Sequence, residues 1–285
     1  MCDFYQQILD LITAASTILP EDVENALRKS AAAEAPDSPA AAVMEQICCN
    51  LDLGRQNQQP LCQDTGVIHF FVEAPEIFPR RRFAEEARRA VVEATRLGLL
   101  RQNCVESVSG KNTGNNLGYI NPTFHWEDRE DDAQEVKVTL LLKGGGSENV
   151  GRQYTLPDNE LGAGRDLEGV RKCVLDAVWR AQGMGCAPGI LGVCIGGDRA
   201  GGAEEAKKQL LRNIGERSAN PAHAELESRL LAEANSMDIG PMGMGGRTTL
   251  LDVFIGSRSR HPASYFVTVC YNCWCCRRRS TVIKL

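Results

Sequence analysis

Apolar side chains recur at the spacing of a helix through the first part of the chain. Pro20, followed by the acidic Glu21 and Asp22, suits a first helical turn, where the missing N–H costs nothing and negative charge is favoured. The Ala/Pro/Ser-rich stretch 31–41 predicts a break. We therefore predict a helical N-terminal part over about residues 1–58. Its helical apolar positions are Leu9, Ile12, Leu19, Val23, Leu27, Val43, Ile47 and Leu51.

Beyond this part, strand and helix patterns mix without a regular period. The predicted strands are 67–73, 136–142 and 189–195, and the predicted helices are 83–97, 167–181 and one that opens at Asn220-Pro221. The tail from about 249 to 285 offers two or three strands interrupted by cysteines. No linker or internal repeat divides the chain. We predict one mixed α/β (α+β) domain over residues 1–285, with a central β-sheet between helical layers.

Charge and hydropathy exclude several partners. The formal net charge of −5 argues against nucleic acid, and the basic run Arg277–Arg279 is too short to track a phosphate backbone. Such clustered arginines suit a small anion better. No apolar run approaches the roughly 18 residues of a membrane helix. The first seven residues lack the features of a signal peptide, so a cytoplasmic protein is expected.

The cysteines suggest a cofactor. Four of the 12 cysteines stand between Cys270 and Cys276, and Cys62 and Cys186 lie far upstream in polar or glycine-rich settings. A thiol-rich chain without secretory features is more typical of metal or iron–sulfur binding than of disulfides. The terminal group lacks the paired spacing of a structural zinc site. A non-catalytic metal-binding or redox-sensing protein is the alternative hypothesis.

Three polar, glycine-containing segments are candidates for the chemistry. Residues 62–66 place a thiol, an amide and a carboxylate before a glycine, which is also the pattern of an Asx turn. Residues 109–116 offer donors that could cradle an anion, although a solvated loop is the favoured interpretation. Residues 143–149 put three glycines after a strand. Neither the dinucleotide fingerprint nor the P-loop spacing is present, so nucleotide binding is not expected.

Taken together and in this order, the segments resemble those of the class I fumarate hydratases and of the α subunits of the related L-tartrate dehydratases. The resemblance runs from about residue 40 to residue 285. The segments that carry it are Cys62–Gly66, Lys111–Gly114, Lys143–Asn149, Cys186–Pro188 with Gly196-Gly197, Gly240-Pro241 with Gly245–Thr249, and Cys273-Trp274.

The resemblance implies a [4Fe–4S] cluster held by Cys62, Cys186 and Cys273. Three thiolates on a four-iron cube leave one iron open as a Lewis acid for a dicarboxylate. It also implies that Arg101 pairs with a substrate carboxylate, and that Asp64 and His261 are catalytic. The implied substrate contacts are Gln63, Arg101, Gly145 and His261. The expected reaction is reversible hydration of fumarate to (S)-malate, with dehydration of L-tartrate to oxaloacetate as the alternative.

The chain departs from the family in two places. Cys275 and Cys276 follow Cys273-Trp274, and either extra thiol could compete as a ligand. Single-chain class I fumarases continue into a smaller C-terminal domain, whereas this chain stops at Leu285. The resemblance therefore implies a separate β subunit, or a missing C-terminal domain, that completes the active site. An oligomer is expected.

Overall fold

The computed structural model describes residues 4–129 and 134–285. The helices are α1 (Phe4–Thr17), α2 (Glu21–Ala33), α3 (Pro39–Asn57), α4 (Arg80–Arg96), α5 (Gly145–Asn149), α6 (Leu167–Ala181), α7 (Arg199–Gln209) and α8 (Pro221–Asn235). The strands are β1 (Val67–Ala74), β2 (Thr123–Asp128), β3 (Glu135–Lys143), β4 (Arg152–Thr155), β5 (Gly189–Gly196), β6 (Leu250–Arg258), β7 (Phe266–Asn272) and β8 (Arg277–Lys284).

The contacts divide the chain into two compact units. The first unit comprises residues 1–20, 50–145 and 275–285, and the second comprises residues 21–49 and 146–274. The sequence predicted a single domain, and that organisation stays a prediction.

The first unit is built on a four-stranded sheet in the order β2-β1-β3-β8. β1 runs parallel to β2 and antiparallel to β3. Alternate apolar residues of β1 and β3 form a core with α1 and α4. Phe83 of α4 is fully buried there and meets Phe70 of β1 edge to face.

The second unit has its own four-stranded sheet, in the order β4-β7-β5-β6. All eight residues of the central strand β5 are buried. Leu191 and Val193 pack into a core with α6 and α8. The alternating residue Gly192 meets α7, where an added Cβ would lie 1.9 Å from the Ala206 carbonyl oxygen. Because successive side chains of a strand point to opposite faces, this sheet lies between helical layers.

The mixed α+β class is confirmed, whereas the expected single central sheet is two four-stranded sheets. The predicted helical N-terminal part is confirmed as α1 to α3 within the described residues. The break that was predicted over residues 31–41 is shorter in the structure, where only residues 34–38 separate α2 from α3. Each predicted strand and helix beyond it is present. Every helix in the described part of the chain is too short or too polar to cross a membrane. The signal-peptide argument rested partly on residues 1–3, which lie outside the described residues.

Candidate active site

Residues 62–66 form a tight turn just before β1. The Gly66 N–H donates to Asp64 Oδ1 at 2.8 Å, which is the Asx turn that the sequence allowed. Gly66 has a φ of +73°, and an added Cβ would lie 2.2 Å from the Lys143 carbonyl oxygen. Only glycine fits this position, because the backbone is left-handed and the end of β3 approaches it closely.

The Asp64 carboxylate joins three segments of the first unit. Besides Gly66, Asp64 Oδ1 accepts from Asn103 Nδ2 at 2.9 Å. Asp64 Oδ2 accepts from the Gly145 N–H, at the start of α5, at 2.8 Å. Hydrogen bonds to a charged group are among the stronger ones, so the three donors hold the carboxylate in one orientation.

Arg101 and Gln63 stand beside this carboxylate turn. Arg101 Nη1 donates to Gln63 Oε1 at 3.2 Å, and the Arg101 side chain is exposed. The buried Thr65 hydroxyl donates to the Arg101 carbonyl oxygen at 2.7 Å and so fixes the backbone from which the guanidinium extends. A guanidinium has five N–H donors, so one held by Gln63 still has others to offer a carboxylate.

The Cys62 thiol is tuned toward its thiolate form. The pKa of Cys62 is lowered to about 6. The largest cause is a hydrogen bond with the Cys275 side chain, which outweighs the opposite effect of burial. The Asp64 N–H and the charge of Arg277 lower the pKa further. The Asp64 N–H lies 3.4 Å from Cys62 Sγ. At neutral pH, Cys62 is therefore largely the thiolate, which is the form that binds metal.

Arg277 supports this turn from β8. Its side chain is buried, and Nη2 donates to the Asp64 carbonyl oxygen at 2.5 Å. The sequence suggested that the basic run grips a small anion. Arg277 thus holds the backbone of the Cys62 turn, and the binding of a small anion by the run stays a prediction.

The second unit brings together Cys186 and Cys273. The Trp274 N–H donates to the Cys186 carbonyl oxygen at 3.2 Å. Tyr271 lies near both cysteines. Burial is the main cause that raises the pKa of its phenol, and the charges of Cys273 and Cys186 raise this pKa further. The Cys186 backbone is left-handed, with a φ of +55°. A non-glycine residue held in this region costs energy and is typical of functional sites.

The three proposed cluster ligands are all at least partly accessible, as are Cys48, Cys49 and Cys104 among the other thiols described. Cys186 is exposed, and Cys62 and Cys273 are half-buried. Cys275 and Cys276 are buried, as are Cys173 and Cys194. Burial raises the pKa of Cys173 to about 12 and that of Cys194 to about 11, so both behave as apolar core side chains.

His261 lies in an exposed turn of the second unit, between β6 and β7. Its Nδ1 accepts from the Ala263 N–H at 3.1 Å, and its carbonyl oxygen accepts from the Ser264 N–H at 3.0 Å. These contacts orient the imidazole ring within the turn.

The structure thus groups seven of the eight predicted site residues in two sets, and His261 belongs to neither set. Cys62, Gln63, Asp64, Arg101 and Gly145 come together in the first unit, and Cys186 and Cys273 come together in the second. Sequence reasoning missed Asn103 and the supporting roles of Cys275 and Arg277. Asn103 carried one signal, its place two residues after Arg101 in a polar loop.

Among the residues described, no three His, Cys, Asp or Glu side chains form a ready site for a single metal ion. A four-iron cube binds one thiolate at each ligated iron, so its ligands stand farther apart than those of one ion. The donor set that the sequence predicts remains chemically suited to such a cube, because none of its three thiols is fully buried and Cys62 favours the thiolate.

The family follows from comparison with known proteins. The sequence profile described as "Fumarate hydratase (Fumerase)" matches residues 5–282. The chain is 43% identical over 277 residues to a protein of Geobacillus stearothermophilus provisionally named class I fumarate hydratase, covering 96% of this chain and 54% of that protein. An α+β protein with this thiolate and carboxylate site thus has relatives named as hydro-lyases. The chain belongs to the fumarate hydratase family.

Other relatives are named as tartrate enzymes. The chain is 36% identical over 284 residues to a protein of Methanocaldococcus jannaschii provisionally named L(+)-tartrate dehydratase subunit alpha, covering 98% of this chain and 96% of that protein. It is 34% identical over 269 residues to the L(+)-tartrate dehydratase subunit alpha of Escherichia coli strain K12, covering 94% and 86%. The chain therefore spans about half of the Geobacillus relative but nearly the whole of relatives named as α subunits.

Proposed function

We propose that the chain is the α component of an iron–sulfur hydro-lyase that hydrates fumarate reversibly to (S)-malate. The observation that carries this proposal is the set of groups around Cys62. A thiolate, the Asp64 carboxylate, the Gln63 amide and the Arg101 guanidinium lie within one hydrogen-bonded turn and its neighbouring loop. This combination suits a dicarboxylate held beside a metal centre.

Cys62, Cys186 and Cys273 would hold a [4Fe–4S] cluster. When bound, the cluster would supply a Lewis acid for the hydroxyl group that is added or removed. Cys275, which hydrogen-bonds to Cys62, would support that ligand without being one.

The other residues would bind and orient the substrate. Arg101 would grip one carboxylate, and Gln63 would hold the guanidinium in place for it. Asp64 and His261 are the proposed proton-transfer groups. The three donors on Asp64 fix the direction of its carboxylate, and the Gly145 N–H ties the glycine segment to it.

A separate β subunit would complete the active site. Relatives of nearly this length carry the name subunit alpha, whereas the Geobacillus relative is almost twice as long as the matched part. The same observation favours dehydration of L-tartrate to oxaloacetate as the second candidate, because those α subunits are named for tartrate.

An anaerobic assay of the complex with its β subunit tests both candidates. The substrates would be (S)-malate and L-tartrate, compared by kcat/KM. A higher value for malate supports the proposal, and a strong preference for tartrate replaces it with the second candidate. An iron-free complex that turns over neither substrate while binding stoichiometric zinc would favour a non-catalytic metal protein.

Replacing Arg101 by lysine should weaken substrate binding in that complex. Lysine keeps the charge but loses the paired N–H donors that match a carboxylate. A hydrogen bond to a charged group contributes about 1.5–3 kcal/mol, so KM should rise about tenfold to a hundredfold. Steady-state kinetics would show this, with Arg96→Lys as the matched control, because Arg96 lies on exposed helix surface. An unchanged KM would remove Arg101 from the substrate site.

A further inference from the structure

The segment between α4 and β2, residues 97–122, is the α4–β2 loop of the first unit. It exceeds the roughly 12–15 residues above which a connection without regular structure is usually functional or disordered. Five large apolar residues of the loop are exposed to solvent, and the three most exposed are Val108 by 96%, Tyr119 by 97% and Ile120 by 64%. Isolated exposed apolar residues are common, but several on one ordered loop require an explanation.

The loop is ordered by its own hydrogen bonds. Asn116, which is buried, donates to the Arg101 carbonyl oxygen at 2.9 Å and accepts from the Asn103 N–H at 2.8 Å. The Glu106 carboxylate accepts from the N–H groups of Val108 and Ser109 at 2.9 and 2.6 Å. Such a loop presents its apolar tips in a fixed arrangement, which lowers the entropy lost when a partner binds.

Two lobes of the loop lie side by side. The first, residues 104–113, closes through the Thr113 N–H, which donates to the Cys104 carbonyl oxygen at 2.9 Å. The second is the turn between Gly118 and Asn121, which pair with each other. An added Cβ on Gly118 would lie 2.7 Å from Cys104 Sγ, so the second lobe packs against the base of the first.

The base of the same loop reaches the candidate active site. Arg101 contacts Gln63, and Asn103 Nδ2 contacts Asp64 Oδ1 at 2.9 Å. A polypeptide bound to the apolar tips would therefore contact the same loop that carries Arg101 and Asn103.

We propose that the α4–β2 loop is the docking surface for the β subunit, with Tyr119, Ile120 and Val108 as its apolar anchors. The inference rests on the proposed function, which requires that partner. The length of the Geobacillus relative, of which this chain matches 54%, supplies the argument for this occupant. Aromatic residues and fully desolvated anchors dominate the energy of such interfaces.

The test uses the full chain, purified anaerobically, and the β subunit of the organism that makes it. Tyr119→Ala and Ile120→Ala should each weaken the affinity of the two chains by about tenfold or more, as anchors near the centre of an interface do. Ile77→Ala is the matched control, because Ile77 is 84% exposed in the same unit but outside the loop, and its affinity should stay at the wild-type value. Iron content and circular dichroism should be unchanged in all three variants.

Hydrogen exchange of the wild-type complex provides a second measurement, with slower exchange expected at residues 104–121 than in the isolated chain. Wild-type affinity in both loop variants, or unchanged exchange there, would overturn the docking surface even if the complex hydrates fumarate. A complex that forms through the loop but turns over neither dicarboxylate would instead overturn the proposed function. Failure of the wild-type chains to associate would overturn both.

Discussion

Replacing Cys186 by serine should remove the iron from the anaerobically purified chain, and Cys62→Ser and Cys273→Ser should do the same. A serine hydroxyl is a hard and weakly acidic ligand, so it replaces a thiolate poorly on iron that also binds sulfide. Iron and sulfide analysis, together with the visible absorbance of the cluster, would measure the loss. Loss of a residue that only supports a metal ligand typically lowers metal affinity about tenfold to a hundredfold, and loss of the ligand itself should lower it at least as much. We therefore expect less than about a tenth of the wild-type iron in each variant.

The matched controls are chosen by burial and contact. Cys49→Ser changes an exposed thiol outside the proposed set and should keep the iron. Cys275→Ala should also keep it, because Cys275 is buried and acts by hydrogen bonding to Cys62. The opposite pattern, with iron retained by Cys273→Ser and lost from Cys275→Ala, would show that the extra thiol is the third ligand. Circular dichroism of each variant would separate iron loss from unfolding.

Where local chemistry decides a structure, the sequence predicted it well. Asn220-Pro221 was predicted to open a helix, and Asn220 Oδ1 accepts from the Ala222 N–H at the start of α8. The apolar run bounded by glycine at 189–195 became the central strand β5. In both places, capping or hydrophobic pattern agrees with the fold around it.

Two of the elements that sequence reasoning missed, β4 and α7, have no such pattern. β4 is four residues long and polar, and it pairs at the edge of its sheet, where no apolar alternation is needed. α7 is rich in small and charged residues and has almost no apolar stripe. It packs against β5 because Gly192 has no side chain and the backbone of Ala206 can approach it closely. Such a contact leaves no apolar periodicity in the sequence of the helix.

In the candidate active site, too, some features could be predicted from the sequence and others could not. The resemblance implied that Gln63, Asp64 and Arg101 belong to one site, and the structure places Gln63 in contact with Arg101, and Asp64 in contact with Asn103 of the same loop. The contact of Cys275 with Cys62 joins residues more than two hundred positions apart, which no local pattern could indicate. A resemblance can name the residues of a site, but the supporting contacts require the fold.

Glu227→Ala should destabilise the protein by about 3–5 kcal/mol, the cost of removing one partner of a buried ion pair. Glu227 lies in α8 with no exposed surface, and its Oε1 accepts from Arg212 Nη1 at 2.7 Å. The same atom accepts from the Ile255 N–H at 2.8 Å, on the edge strand β6. Oε2 accepts from the Ser218 N–H at 3.0 Å. Alanine would leave a half-buried cation and two backbone donors without their acceptor, each at a desolvation cost.

Thermal and urea unfolding would measure this loss, and for a chain of this size Tm should fall by at least about 6 °C. Glu225→Ala is the matched control, because Glu225 lies on the exposed side of the same helix and should change stability by less than about 0.5 kcal/mol. Glu227→Gln should fall between the two, because its amide oxygen can still accept from Arg212 and Ile255, which share Oε1, while the negative charge is lost. Equal stability of the two alanine variants would show that the buried carboxylate does not hold the segment around Arg212 and Ser218 to the edge of β6.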